Sequence, residues 1–156
     1  MKQLLLEENE LLTKKRVLVV DDDLLMRELF KFKLSKQGFE VTSAKNEREF
    51  WQQAFDKKPD LILLDLWLNN KIGADIYDQL IHFGFDPEVP VIFITGHFQT
   101  ASEQPIYVKK GQSFLSKPID FGQLTAEIDR LMLTHNSDHA LHLAERFWQS
   151  SKKSET

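Results

Sequence analysis

Asp21, Asp22 and Asp23 stand side by side directly after an apolar run, in the stretch VLVVDDD. Three adjacent carboxylates repel one another, and a single acid is enough to start a helix. The arrangement therefore reads either as a cation site or as an over-charged turn. Asp65 closes a second apolar run, LILLD, while Thr95 closes VIFIT and Lys117 follows SFLS. Three carboxylates gathered on one edge supply hard oxygen ligands for a divalent cation, above all Mg2+, which keeps some of its waters and shares its shell with phosphate oxygens. Lys117 can hold a phosphate oxygen as a point charge. The Thr95 hydroxyl can donate to another, and Asp65 can act as a carboxylate nucleophile that forms an acyl phosphate.

For these residues to meet, the chain must bring the ends of separate elements together. RVLVV (16–20), DLILL (60–64) and VPVIFI (89–94) are continuous apolar runs, as strands buried on both faces would be. FEVTS (39–43), entered through Gly38, and SFLS (113–116) are weaker strand candidates. Helical spacing lies between them. From Leu24 to Gln37, Leu25, Leu29, Phe32 and Leu34 are expected near one side, with Gly38 as the stop. Asn46 can cap a second helix carrying Phe50, Trp51, Ala54 and Phe55, and further helices are expected over 74–83 and 121–133. Alternating strands and helices predict an α/β fold with a parallel sheet covered on both sides. Working groups in such sheets gather at the carboxyl ends of the strands. Here strand one ends in Asp21–Asp22, strand three in Asp65, strand four in Thr95 and strand five in Lys117. Four such ends together point to a phosphate and metal site.

Composition narrows the possibilities. The 156 residues suit one domain with a proper core, and a net charge of −4 gives no support for nucleic-acid binding through a basic surface. With no cysteine there is no disulfide, thiolate metal site or thiol catalysis. No apolar run approaches the length of a membrane span, and MKQLLLEENELL is too acidic and too short at its apolar centre for a signal peptide. A cytoplasmic protein is expected.

VLVVDDD, LILLDL with Gly73 eight residues after Asp65, VPVIFITGH and FLSKPID, in that order, resemble the receiver domains of response regulators in bacterial two-component signalling. The resemblance runs from about Arg16 to Leu133. It implies a flavodoxin-like, doubly wound five-stranded sheet of order 2-1-3-4-5. It also implies Asp65 as phosphoacceptor, with Asp21 and Asp22 as the acidic pair that holds Mg2+ together with Asp65 and the backbone carbonyl of Trp67. Thr95 would be the switch hydroxyl, Phe114 the aromatic that reorients with it, and Lys117 the phosphate-binding lysine, placed by a cis Lys117–Pro118 bond. The positions of Trp67 and His97 would help set how quickly the aspartyl phosphate hydrolyses. The implied partners are a sensor histidine kinase or histidine phosphotransfer protein and a downstream protein.

Several residues have plainer readings. Asp23, just ahead of a helix, is an N-cap or first-turn acid rather than a ligand. Thr95 taken alone is an ordinary strand-end hydroxyl. His82, His135, His139 and His142 read as solvated surface. Two departures from the family also stand out. Pro105 falls inside 97–111, where the fourth helix belongs, and Ile106, Tyr107 and Val108 favour extended structure, so that helix is expected to be short, broken or missing. Asn69 occupies a place where the family often has proline.

The expected organisation is a helical extension over 1–15, a receiver domain over 16–134, a capped amphipathic helix over 135–150 and a disordered tail over 151–156. The terminal helix must pack on its own domain, a partner or a second copy, which leaves a homodimer through the terminal helices open. With about 23 residues after Leu133, a stand-alone receiver is expected, a switch rather than a metabolic enzyme. One alternative is a degenerate receiver acting as a phosphate-independent interaction or dimerisation module. The other is a Mg2+-dependent aspartyl phosphohydrolase, which would want a general-acid Asp where Trp67 stands.

Overall fold

The structure, a computed structural model, describes Lys2 and residues 14–96 and 111–134. The expected runs form strands β1 (Arg16–Val20), β2 (Glu40–Ala44), β3 (Leu61–Asp65), β6 (Val91–Thr95) and β7 (Gln112–Ser116). They make one parallel sheet of order β2-β1-β3-β6-β7, the doubly wound order that the resemblance to receiver domains implies. Between them lie helices α1 (Leu24–Lys36), α2 (Glu47–Lys57) and α3 (Gly73–His82), and residues 121–134 are also helical. A short ribbon, β4 (Trp67–Leu68) with β5 (Lys71–Ile72), joins β3 to α3.

Alternation within the strands explains why the apolar runs are continuous. Leu18, Val20, Ile62, Leu64, Val91 and Phe93 face one layer, where they meet Phe50 and Ala54 of α2 and Ile76, Tyr77 and Leu80 of α3. Val17, Val19, Leu61, Leu63, Ile92 and Ile94 face the other, against Phe30 and Leu34 of α1 and Leu124, Ile128 and Leu131. Each strand thus buries both faces, and each fully buried large side chain contributes roughly 1.5–3 kcal/mol.

Local signals set the element ends. Asn46 accepts from Glu49 N–H (2.8 Å) as the cap of α2, and Gly38 at φ +94 turns the chain from α1 into β2. One expectation for α1 is corrected. Leu25, Leu29, Phe32 and Leu34 do not share a buried side. Leu34 and Phe30 are buried, whereas Leu25 is 78% and Phe32 55% exposed, and Leu29 is also exposed. On a helix of 3.6 residues per turn, Leu34 falls about half a turn from Leu25, so the two sit on opposite faces. The sheet takes the Phe30–Leu34 face. On the outer face the Lys36 ammonium covers the Phe32 ring at 4.3 Å. The expected readings of 1–13, 97–110 and 135–156, including the broken fourth helix with Pro105 and the terminal amphipathic helix, lie outside the described residues, Lys2 apart.

Candidate phosphate and metal site

The strand order reverses between β1 and β3, and the crevice at such a point, outside the carboxyl ends of the strands, is where doubly wound sheets bind ligands. Asp21 follows β1 and Asp65 ends β3, so the two strands deliver their acids to that crevice. Carboxylate oxygens of Asp21, Asp22 and Asp65 lie within 4.8 Å of one another. Asp21 and Asp65 are buried, and Asp22 is exposed.

The buried pair is held by specific donors. Asp21 Oδ1 accepts from the Asp23 N–H (2.9 Å), and Asp65 Oδ1 accepts from the Trp67 N–H (3.0 Å). Lys117, delivered by β7 from the far side, places Nζ 3.1 Å from Asp21 Oδ2 and 3.4 Å from Asp65 Oδ2. The Lys117 N–H donates to the Thr95 carbonyl (2.7 Å), and the Lys117–Pro118 peptide is cis. Thr95 is buried at the end of β6. Phe114 stacks on Phe93, with ring centroids 5.0 Å apart. The Trp67 side chain is half-exposed.

The charges are mutually adjusted. Burial pushes the Asp65 carboxyl above its ordinary value and the charge of Asp21 adds to this, against the lowering effect of the Trp67 N–H and of Lys117. Burial works to lower Lys117, but the charges and hydrogen bonds of Asp21 and Asp65 outweigh it and hold the ammonium above its ordinary value. A raised carboxyl pKa gives a more basic, more nucleophilic carboxylate. Among the described residues, Lys117 is the cation paired with these carboxylates, and one ammonium against three carboxylates leaves them short of positive charge. Three hard oxygen donors converging at that spacing fit Mg2+.

Asp23 is not part of the cluster. It caps α1, accepting from the Leu25 N–H (2.9 Å), as the plainer reading of it required. His97 lies outside the described residues. Sequence reasoning missed three contacts. Arg27 on α1 donates to the Asp21 carbonyl (2.7 Å), the Asn69 N–H donates to Asp22 Oδ2 (3.1 Å), and Asn69 Nδ2 donates to the Lys45 carbonyl (2.9 Å). The pair Asn69–Asn70 carried a turn signal, since asparagine tolerates the left-handed backbone that tight hairpins require.

Comparison with known proteins agrees with this geometry. The profile of the response regulator receiver domain matches residues 17–129. The chain is 26% identical over 118 residues to the phosphate regulon transcriptional regulatory protein PhoB of Pseudomonas aeruginosa, covering 76% of this chain and 52% of that protein. It is 32% identical over 107 residues to the sensory transduction protein LytT of Bacillus subtilis, covering 67% and 43%. The chain spans about half the length of the curated relatives it matches. Among solved structures, the receiver domain of NtrX from Brucella abortus superposes with a TM-score of 0.62 at 29% identity, covering 76% of this chain and 98% of that one.

Proposed function

The chain belongs to the response regulator receiver domain family, and from that premise we propose that it is a two-component signalling switch that accepts a phosphoryl group on Asp65. The observation that carries the reading is the convergence of Asp65, Asp21 and Asp22 with Lys117 at one crevice. A carboxylate oxygen of Asp65 attacks the phosphorus of a phosphohistidine on a kinase or phosphotransfer partner. The P–N bond breaks as the P–O bond forms, and the electron pair returns to the imidazole nitrogen. Lys117, already between Asp21 and Asp65, moves onto a phosphoryl oxygen, and the Thr95 hydroxyl donates to another. Asp21, Asp22, Asp65 and the Trp67 carbonyl would hold Mg2+, which when bound supplies positive charge to the transferring group. Hydrolysis reverses the state: water attacks phosphorus, Asp65 leaves as carboxylate, and inorganic phosphate departs. Trp67, half-exposed and two residues beyond Asp65, would restrict the water this step needs, with His97 as the second position that tunes it. The signal is a change in which protein the chain contacts, with Thr95 and Phe114 relaying the phosphoryl state to the surface. No helix among the described residues is long and apolar enough to cross a membrane. The switch is placed in the cytoplasm, where its phosphodonor works.

The test is intact-mass spectrometry after incubation with acetyl phosphate, with and without Mg2+. A single labile phosphate adduct that forms only with Mg2+ is expected. No adduct, in a chain that also takes up no Mg2+, would replace the switch with a phosphate-independent interaction module. Steady turnover of a small phosphate ester would instead mark a phosphohydrolase.

A further inference from the structure

Of the three clustered acids, two are fixed from several sides and one is not. Asp21 and Asp65 are buried, and each accepts a backbone N–H and faces Lys117. Asp22 is exposed, and its carboxylate is oriented by the Asn69 N–H, 3.1 Å from Oδ2. An exposed aspartate otherwise samples several rotamers, which weakens it as a ligand.

Asn69 is itself held by a rigid anchor. With Asn70 it forms the turn between β4 and β5, both residues at positive φ (48° and 63°), as a two-residue hairpin of type I′ needs. Its side-chain Nδ2 donates to the Lys45 carbonyl (2.9 Å), in the turn between β2 and α2. The other side of Lys45 is tied as well, its N–H donating to Glu49 Oε2 (3.0 Å), while the Glu49 N–H is capped by Asn46. Lys71, on the second arm of the ribbon, pairs with Glu47 at the same helix start. The left-handed backbone of Asn69 and its side-chain bond to Lys45 therefore fix where its own N–H points. A proline at 69 has no N–H, has φ near −65°, and provides neither contact.

We propose that Asn69 is a positioning residue for the metal site: its bond to the Lys45 carbonyl holds the backbone N–H that presents Asp22 to Mg2+. The inference rests on reading Asp21, Asp22 and Asp65 as a Mg2+ site. It assigns the work of orienting the exposed ligand to a residue outside the cluster.

Isothermal calorimetry of the full chain with Mg2+, beside thermal unfolding without metal, tests it. Asn69→Pro, which removes both contacts and cannot adopt the φ of 48° of this turn, is expected to weaken Mg2+ binding about ten-fold in this chain, as loss of a ligand-orienting partner typically does. An unchanged affinity would show that Asp22 is held without position 69, as in family members with proline there. Asn69→Gly, which keeps the N–H and tolerates positive φ but loses the Lys45 bond, is expected to fall between Asn69→Pro and the unsubstituted chain. A purely structural role would lower the unfolding midpoint and leave Mg2+ affinity alone. An Asn69→Gly affinity equal to that of the unsubstituted chain overturns the inference, whatever Asn69→Pro does. If the unsubstituted chain takes up no Mg2+, the metal-site reading falls and this inference falls with it.

Discussion

Asp65→Asn is expected to carry no phosphate adduct and, at neutral pH without Mg2+, to be more stable than the unsubstituted protein by about 0.5–2 kcal/mol, the usual gain from relieving one unfavourable feature. The amide cannot act as the nucleophile, so the loss of the adduct is expected to be complete. The gain in stability follows from the direction of the Asp65 shift. Burial, helped by the charge of Asp21, holds the carboxyl above its ordinary value of 3.8, so the folded state favours the protonated form more than the unfolded state does. Over the window from that ordinary value up to the folded one, the folded protein binds more protons than the unfolded chain, and stability falls as pH rises. Above the window the penalty is present in full; below 3.8 it is gone. The advantage of Asp65→Asn is therefore expected at pH 7 and expected to vanish in acid, read from urea unfolding at several pH values. Saturating Mg2+ is expected to reverse the order, because a ligand held by the native state at a hundred-fold excess over its dissociation constant stabilises it by about 2.7 kcal/mol.

Gly73→Ala is expected to destabilise the protein by about 3 kcal/mol and to impair phosphorylation with it. A Cβ at position 73 would lie 2.2 Å from the Asp65 carbonyl oxygen and 3.2 Å from both the Asp65 carbonyl carbon and the Leu66 Cα. All three are backbone atoms, so no side chain can turn aside. The Gly73 N–H also donates to the Leu66 carbonyl at 2.7 Å, which keeps the two segments in register. Relief must come from moving the end of β3, and with it the carboxylate held by Trp67 and Lys117. Urea unfolding reads the first effect and the yield of adduct at fixed acetyl phosphate the second. An alanine variant with the stability and adduct yield of the parent would show that the start of α3 yields freely.

Much of this site was legible in the sequence because it depends on strand ends. A continuous apolar run predicts a strand buried on both faces, a parallel sheet puts the carboxyl ends of its strands on one edge, and the charged residue after each run must then lie on that edge. Asp21, Asp65 and Lys117 follow from that reasoning, and the structure brings them together, while Thr95 ends the neighbouring strand with its carbonyl accepting from the Lys117 N–H. Asp23 as a cap and Asn46 as a cap follow from local chemistry in the same way. Side-chain facing on α1 was less legible. Apolar residues at 25, 29 and 32 form a good stripe, yet the sheet takes the Phe30–Leu34 face, and pattern alone does not say which of two apolar stripes finds the core. The Asn69 contacts were illegible for another reason. They join residues distant in sequence, to Asp22 and to Lys45, and depend on a left-handed backbone that the pair Asn69–Asn70 permits but does not by itself dictate.

In the proposed switch the phosphoryl group sits on Asp65. Borohydride reduction of the phosphorylated chain, followed by peptide mapping, tests it most directly, because an acyl phosphate is reduced to an alcohol and an aspartyl phosphate becomes homoserine. Homoserine at position 65 and at no other aspartate, dependent on Mg2+ during phosphorylation, is the predicted result. Homoserine at Asp21 or Asp22, or a phosphate that survives reduction on a histidine or hydroxyl side chain, would contradict it.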